Sequence, residues 1–385
     1  MIKFALRRNL IYPLQLLIYN LLRKLETKLI DHLFEFRDSL VFTSIMFIGE
    51  FLVGLLVYKY QKNFIKKKKK TYKFFSIKLI EGDIKIKHPE SNIKINILIF
   101  FAAFFDWVQF TIWTSNVPKF KYLSGSLITR LSAISTIVGA LFYYYILRLT
   151  LFKHQIFSII IISIYLIVVI VTEFIFQKIN TDLLHIIFII SLLLAFVCQV
   201  FAALIDSIEK YLYEYNFVNP YFTLMLEGLF GFFISFLFFF SPDYLEDVKQ
   251  FFKANKAGKI VLFIFLLIVY LVLCGARNLY RVITTKLYSP MARTLTDYFL
   301  NPIYISVDFA LEKDFLIRGQ RNVAYFVVNL ILSFFVSFIG CVYDEFIVLF
   351  FCGLDHDTHT QVTKRAISQN ELSDIYTDKD DDSDD

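Results

Sequence analysis

Long apolar runs, separated by mostly short polar connections, dominate the hydropathy pattern of the chain. A hydrocarbon core about 30 Å thick needs about 20 helical residues to cross. The runs Ser39–Tyr58, Ile95–Thr114, Leu123–Leu147, Gln155–Phe176, Asp182–Ile205, Tyr221–Phe240, Lys259–Ala276, Ser289–Leu311 and Val323–Tyr343 all read as crossings of that kind. Asn9–Ile30 is a weaker tenth candidate. Its apolar part, Leu10–Leu22, is short, and Arg23, Lys24, Glu26, Lys28 and Asp31 follow at once. Two readings of it stay open: a polar crossing shielded by other helices, or an interfacial amphipathic helix. The pattern therefore predicts an all-α polytopic membrane protein with about ten transmembrane helices.

One crossing breaks the apolar rule. Wound at about 100° per residue, Ser289–Leu311 brings Arg293, Asp297, Asn301, Tyr304 and Asp308 into an arc of about 80°, while Leu295, Phe299, Ile303, Ile305, Val307 and Phe309 cover its other faces. Charge facing lipid is costly, so the stripe is expected to face other helices or a water-filled cavity.

Composition sharpens this picture rather than changing it. The chain is 57% hydrophobic with a mean hydropathy of +0.59. Its 46 Phe are as consistent with a biased genome as with function. The net charge of +6 does not indicate nucleic-acid binding, because the lysines bunch in one loop. That loop, residues 59–94 with Lys66–Lys70 at its centre, is the strongest positive-inside signal and belongs in the cytosol. Its Lys62–Lys73 run either attracts anionic lipid or only sets topology. With ten crossings, both termini are cytosolic. The chain divides into an N-terminal segment (1–38), a core (39–345) and an acidic tail (346–385) expected to be disordered, above all from Asp355 onward.

Only residues 62–94 and 241–258 are long enough as loops for local structure, and Glu81–Lys94 alternates polar and apolar residues as a small hairpin would. Cys198, Cys274, Cys341 and Cys352 have no paired spacing and read as free membrane thiols. Met1–Arg8 is basic, but the apolar run behind it is interrupted and lacks a small-residue cleavage site, so no cleavable signal is expected. No cofactor signature is present. Asp355–His359 contains two His and two Asp, but without supporting ligands nearby it is a poor metal site.

Ten crossings divide as five plus five, and an odd number per half inverts the second half in the membrane. Weak internal similarity points the same way: the fourth crossing opens YLSGSLITRLSA and the ninth opens LYSPMARTLTDY, placing Arg130 and Arg293 at related positions. Four further stretches carry a resemblance. They are MFIGEF (Met46–Phe51), AAFFDWVQFTIW around Asp106, IEKYLYEYNFVNPYFTLMLEGLFGFF (Ile208–Phe233) and RVITTKLYSPMARTLTD (Arg281–Asp297). In this order the chain resembles the drug/metabolite transporter superfamily, most closely the F-type branch of solute carrier family 35, relatives of the nucleotide-sugar transporters. The resemblance spans residues 39–345. It implies ten helices, an inverted repeat, and exchange or proton-linked movement of a polar metabolite across an internal membrane (Golgi, endoplasmic reticulum or endolysosome).

Arg130 and Arg293 are the first candidates for substrate contact, because a guanidinium offers a rigid fork of donors to phosphate or carboxylate and stays charged. The alternative for each is an ion pair, for Arg293 with Asp297. Asp297 and Tyr304 lie deeper on the same stripe. Asp106, Gln109 and Trp113 share a face of the third crossing, where Asp106 either binds a proton or cation or neutralises an arginine. Glu50 and Glu227 lie among glycines (Gly49, Gly54, Gly228, Gly231) that permit close helix packing; a structural hydrogen bond and a coupling role both fit. Gln199 and Asp206 align on the sixth crossing, with His185 on the same side, and Lys286 stands at the mouth of the ninth, to steer anions or anchor the helix.

The leading expectation is a secondary transporter of a small polar metabolite, possible substrates being phosphate-bearing or nucleotide-sugar-like. A structural or sorting membrane protein that keeps the fold without transport is the alternative. A second copy of the chain is left open as a partner. Neither paired catalytic aspartates in a Gly-x-Gly-Asp setting nor a Gly-x-Ser-Gly nucleophile occurs, so an intramembrane enzyme is not expected.

Overall fold

A computed structural model describes residues 2–4, 11–34, 36, 39–66, 73–74, 77–78, 93–115, 127, 130–148, 150–177, 182–239, 251–253, 255–287, 290–311, 316–317, 320–321, 323–350, 352–356, 358, 361 and 365. Among these residues ten helices of thirteen residues or more run in chain order. They are α1 (Ile11–Phe34), α2 (Ser39–Lys66), α3 (Ile93–Ser115), α4 (Ala133–Tyr145), α5 (Lys153–Gln177), α6 (Asp182–Glu214), α7 (Pro220–Phe239), α8 (Ala257–Leu287), α9 (Pro290–Leu311) and α10 (Val323–Tyr343). Leu127, Arg130 and Leu131 are helical just ahead of α4.

Seven of the helices, α2, α3, α5, α6, α7, α8 and α10, are long and apolar enough to cross a membrane. The chain is an all-α, multi-pass integral membrane protein. The three that miss this measure do so for different reasons. The described part of α4 is short, whereas α1 and α9 carry polar faces. On α1, Ile11, Leu14, Ile18, Leu22, Leu25, Leu29 and Leu33 point outward, while Tyr12, Asn20 and Glu26 are buried. An apolar stripe thus faces out, while Asn20 and Glu26 turn inward beside the buried Leu16 and Ile30.

Helix α2 packs on both α7 and α8, and glycines set how close they come. A Cβ on Gly49 would come 2.5 Å from the Leu271 carbonyl oxygen, and one on Gly275 would come 2.7 Å from that of Gly49. Similarly, a Cβ on Gly54 would lie 2.7 Å from the Met225 nitrogen, and one on Gly228 would strike the backbone of Phe51. Backbones this near exclude any side chain, so the seam is held by van der Waals contact along its length. Elsewhere α1 packs on α8 and α9, α6 on α3 and α4, α7 on α3 and α8, α2 on α3, α4 on α5 and α9, and α10 on α5 and α9.

Short strands tie the ends together: β1 (Ile2–Phe4) pairs antiparallel with β6 (Ile347–Leu349). The tail is thus ordered at its start, because Ile347, Val348 and Leu349 are buried against α10; residues 366–385 lie outside the described residues. The hairpin expected over Glu81–Lys94 falls mostly outside them too, and its last two residues already open α3. The described pairing in that loop is β2 (Lys73–Phe74) with β3 (Ile77–Lys78). A similar two-residue pairing, β4 (Leu316–Ile317) with β5 (Gln320–Arg321), joins α9 to α10. His359 of the tail motif is also outside the described residues. Helix α8 departs furthest from expectation. The hydropathy run ends at Ala276, yet the helix continues to Leu287 and is 31 residues long. Its last turns carry Arg277, Asn278 and Arg281, polar groups that end an apolar run but do not end a helix packed among other helices.

Candidate functional site

Among the described residues, three groups of buried polar side chains involve the expected site residues. The first gathers around Arg281 of α8, which is 1% exposed. Its Nη2 lies 2.7 Å from Glu209 of α6 and 2.9 Å from Glu227 of α7, and its Nη1 lies 3.6 Å from Asp106 of α3. One turn back on α8, Asn278 donates to Glu50 of α2. Removing a guanidinium from water is costly, and only several acceptors at close range offset it. Arg281 therefore ties α3, α6 and α7 to α8, and Asn278 ties α2 to it. Asp206 of α6, close by, pairs with Arg293 at the start of α9.

The second group lies between α1, α8 and α9. Asn20 donates from Nδ2 to Asp297 at 2.8 Å, the Tyr304 hydroxyl donates to the Asn20 carbonyl at 3.5 Å, and the Lys24 ammonium stands 3.4 Å over the Tyr304 ring. Asn301, on the same face of α9, is buried. The α9 stripe is thus covered by the polar face of α1, each helix hiding the other's polar groups from lipid. Two arginines complete the group. Arg23 donates to Asn20 at 3.4 Å and lies 5.8 Å from the Phe110 ring of α3. Around it stand Tyr270, Cys274, Tyr304 and Asp297. Arg277 donates to Asn278 at 2.5 Å and faces Arg23, Arg281, Arg293, Asp297 and Glu50.

The third group gathers around Arg130. Arg130, 0% exposed, pairs with Glu173 of α5 and donates to Asn329 of α10, and the Tyr325 hydroxyl also donates to Glu173. Beside it Thr136 and Tyr298 share a hydrogen bond.

The expected site residues distribute over all three groups. Asp106 and Glu227 meet at Arg281, which together with Glu209 was not singled out in the sequence, and Glu50 meets Asn278 one turn back. Arg293 pairs with Asp206, rather than with Asp297 one turn along its own helix. Asp297 and Tyr304 meet α1. Arg130 meets Glu173 and Asn329 while Arg293 meets Asp206, so the two are not brought together among the described residues. Gln199 is buried on α6, while Gln109 and Lys286 are half-buried on α3 and α8. Trp113 lies in the last turn of α3, but its side chain, like those of Asp308 and His185, falls outside the described residues. Arg23, read as the polar end of a short apolar run, and Arg277 are the site residues that hydropathy hides. The signal that could have found Arg277 is its place one turn ahead of Arg281, continuing the helical period of α8 beyond its apolar run.

No protein-family model matches the chain, and a search of curated proteins finds no match.

Proposed function

We propose that the protein is a secondary transporter that moves a small polar metabolite across an internal membrane by alternating access. The observation that carries this reading is the α1–α8–α9 group. Charged and hydrogen-bonding side chains from helices far apart in the chain line one seam within a bundle whose lipid-facing surface is apolar, and such groups mark solute pathways rather than packing. In this reading α1, α4 and α9 cross the membrane as well, making ten crossings. The outward leucines and inward polar residues of α1 fit a crossing, not an interfacial helix, whose polar side would face water.

The neighbour pattern supports a five-plus-five duplication. Advancing each helix by five turns α1 on α8 and α9 into α6 on α3 and α4. In the same way α2 on α8 becomes α7 on α3, α4 on α5 becomes α9 on α10, and α2 on α3 becomes α7 on α8. The pairs α2–α7, α4–α9 and α5–α10 map onto themselves. Inverted repeats of this kind put the substrate between the halves, which fits the resemblance to the drug/metabolite transporters. With crossings alternating in direction and the lysine loop inside, the Arg130–Glu173 group lies toward the luminal end. The Arg293–Asp206 and Arg281 groups lie toward the cytosol, and the α1–α8–α9 seam lies between them. Arg293 and Arg130 then act as closing contacts at opposite ends, with Asp297 and Tyr304 nearer the solute.

Uptake into proteoliposomes tests the reading, using a panel of nucleotide sugars, nucleotides, amino acids and cationic metabolites. One class is expected to accumulate, and Arg293→Ala to reduce its uptake. A folded, reconstituted protein that moves none of them contradicts it and favours a structural or sorting role.

A further inference from the structure

The two arginines of the α1–α8–α9 seam differ from every other buried arginine described above. Arg130 holds Glu173, Arg281 holds Glu209 and Glu227, and Arg293 holds Asp206. Among the described residues, neither Arg23 nor Arg277 reaches a carboxylate at ion-pair distance; each is held only by a side-chain amide, Asn20 or Asn278. The Nε of each is buried and has no hydrogen-bond partner, as is true of Arg281, so what sets the pair apart is the lack of a carboxylate partner for the rest of the guanidinium. Both are half-buried between the helices.

Asp297 and the hydroxyls of Tyr270 and Tyr304 stand around Arg23, whereas positive charge gathers around Arg277. Arg277 has Arg23, Arg281 and Arg293 around it. The carboxylates it faces are engaged: Asp297 by Asn20 and Glu50 by Asn278. Asp106, Glu209 and Glu227 are gathered on Arg281, and Asp206 on Arg293. Two guanidinium groups near each other in a low-dielectric seam repel, and each presents donors in a fixed fork. An anion between them would satisfy both at once.

Building on the transporter reading, we propose that Arg23 and Arg277 form the binding site for an oxyanion, the phosphate or carboxylate group of the transported solute. Tyr304 and Tyr270 would flank the solute's less polar part. The substrate class is thereby anionic, and the acid-rich knot on Arg281 is structural ballast beside the site rather than the site itself.

Equilibrium binding of radiolabelled inorganic phosphate to the detergent-purified full chain tests this, with succinate as the carboxylate competitor and choline as the cation. Binding is expected in wild type, and displacement by succinate shows whether a carboxylate serves as well. Arg23→Gln and Arg277→Gln should each weaken it about ten- to a hundredfold, the effect of losing a hydrogen bond to a charged group. Arg277→Lys should weaken it less, and Lys153→Gln, on an exposed residue of α5, should leave it unchanged. If the glutamine variants fail to fold, wild type alone decides: phenylglyoxal adducts mapped by mass spectrometry should appear at Arg23 and Arg277, and phosphate should protect both. The proposal is overturned by unchanged binding in both glutamine variants, by adducts at these arginines that phosphate does not suppress, or by binding of choline but of neither oxyanion. Because binding is read without flux, loss of the site would leave the carrier standing. Protected binding without any uptake would do the opposite.

Discussion

The two sides of α8 obey different physical rules. Toward α2 and α7, Gly275 meets Gly49, and Gly54 and Gly228 bring α7 onto the α2 backbone, with Asn278 bonded to Glu50 and Arg281 ion-paired with Glu227. Toward α1 and α9 the contacts are made by side chains: Tyr19 stacks on Tyr280 at 5.4 Å, Asn20 holds Asp297, and Arg23 and Arg277 are without carboxylate partners. Backbones in contact cannot slide without clash, whereas long side chains can exchange partners. In the transporter reading proposed above, the first seam stays closed and the second opens, and one helix serves both.

The largest effects should come from breaking the satisfied side. Arg281→Gln leaves Glu209 and Glu227 buried without their cation, and should cost about 3–5 kcal/mol of stability, read as loss of monodisperse protein or a lower Tm in detergent. Arg130→Ala should behave alike, for the same reason at Glu173. Gly49→Leu or Gly228→Leu forces backbones apart and should cost about 1–3 kcal/mol, or more where the chain cannot yield. On the open side the costs shrink. Asn20→Ala removes one interhelical hydrogen bond, worth about 0.6–1.7 kcal/mol in a membrane bundle. Arg277→Gln, one turn from Arg281, should cost the least stability, about 0.6 kcal/mol for a single side-chain hydrogen bond, since it breaks no ion pair. Equal losses at Arg277 and Arg281 would erase the distinction between the two sides.

Much of the tight side was legible. The glycines around Glu50 and Glu227 point to close helix packing, and the apolar runs locate the seven clear crossings. The stripe on α9 was legible too, since its period shows that Arg293, Asp297 and Tyr304 need cover. What covers it was not. The polar face of α1 reads as the end of a short apolar run, because hydropathy averages over all faces and cannot tell a helix polar toward protein from one polar toward water. The same averaging ended α8 at Ala276 and hid Arg277 and Arg281. Arg130 and Arg293 share a related place in the two halves, yet their partners come from different helices, and no local pattern around either residue encodes that pairing.

Movement at one seam but not the other is the central claim, and paired cross-links test it most directly. In a background without the native cysteines, Tyr19→Cys with Tyr280→Cys would tie α1 to α8 across the open side. Tyr58→Cys with Phe222→Cys, whose rings lie 5.6 Å apart, would tie α2 to α7. Uptake into proteoliposomes should stop when the first pair is oxidised and return on reduction, while the second pair leaves it intact. Uptake that survives the α1–α8 link, or that is lost only with the α2–α7 link, would contradict the account.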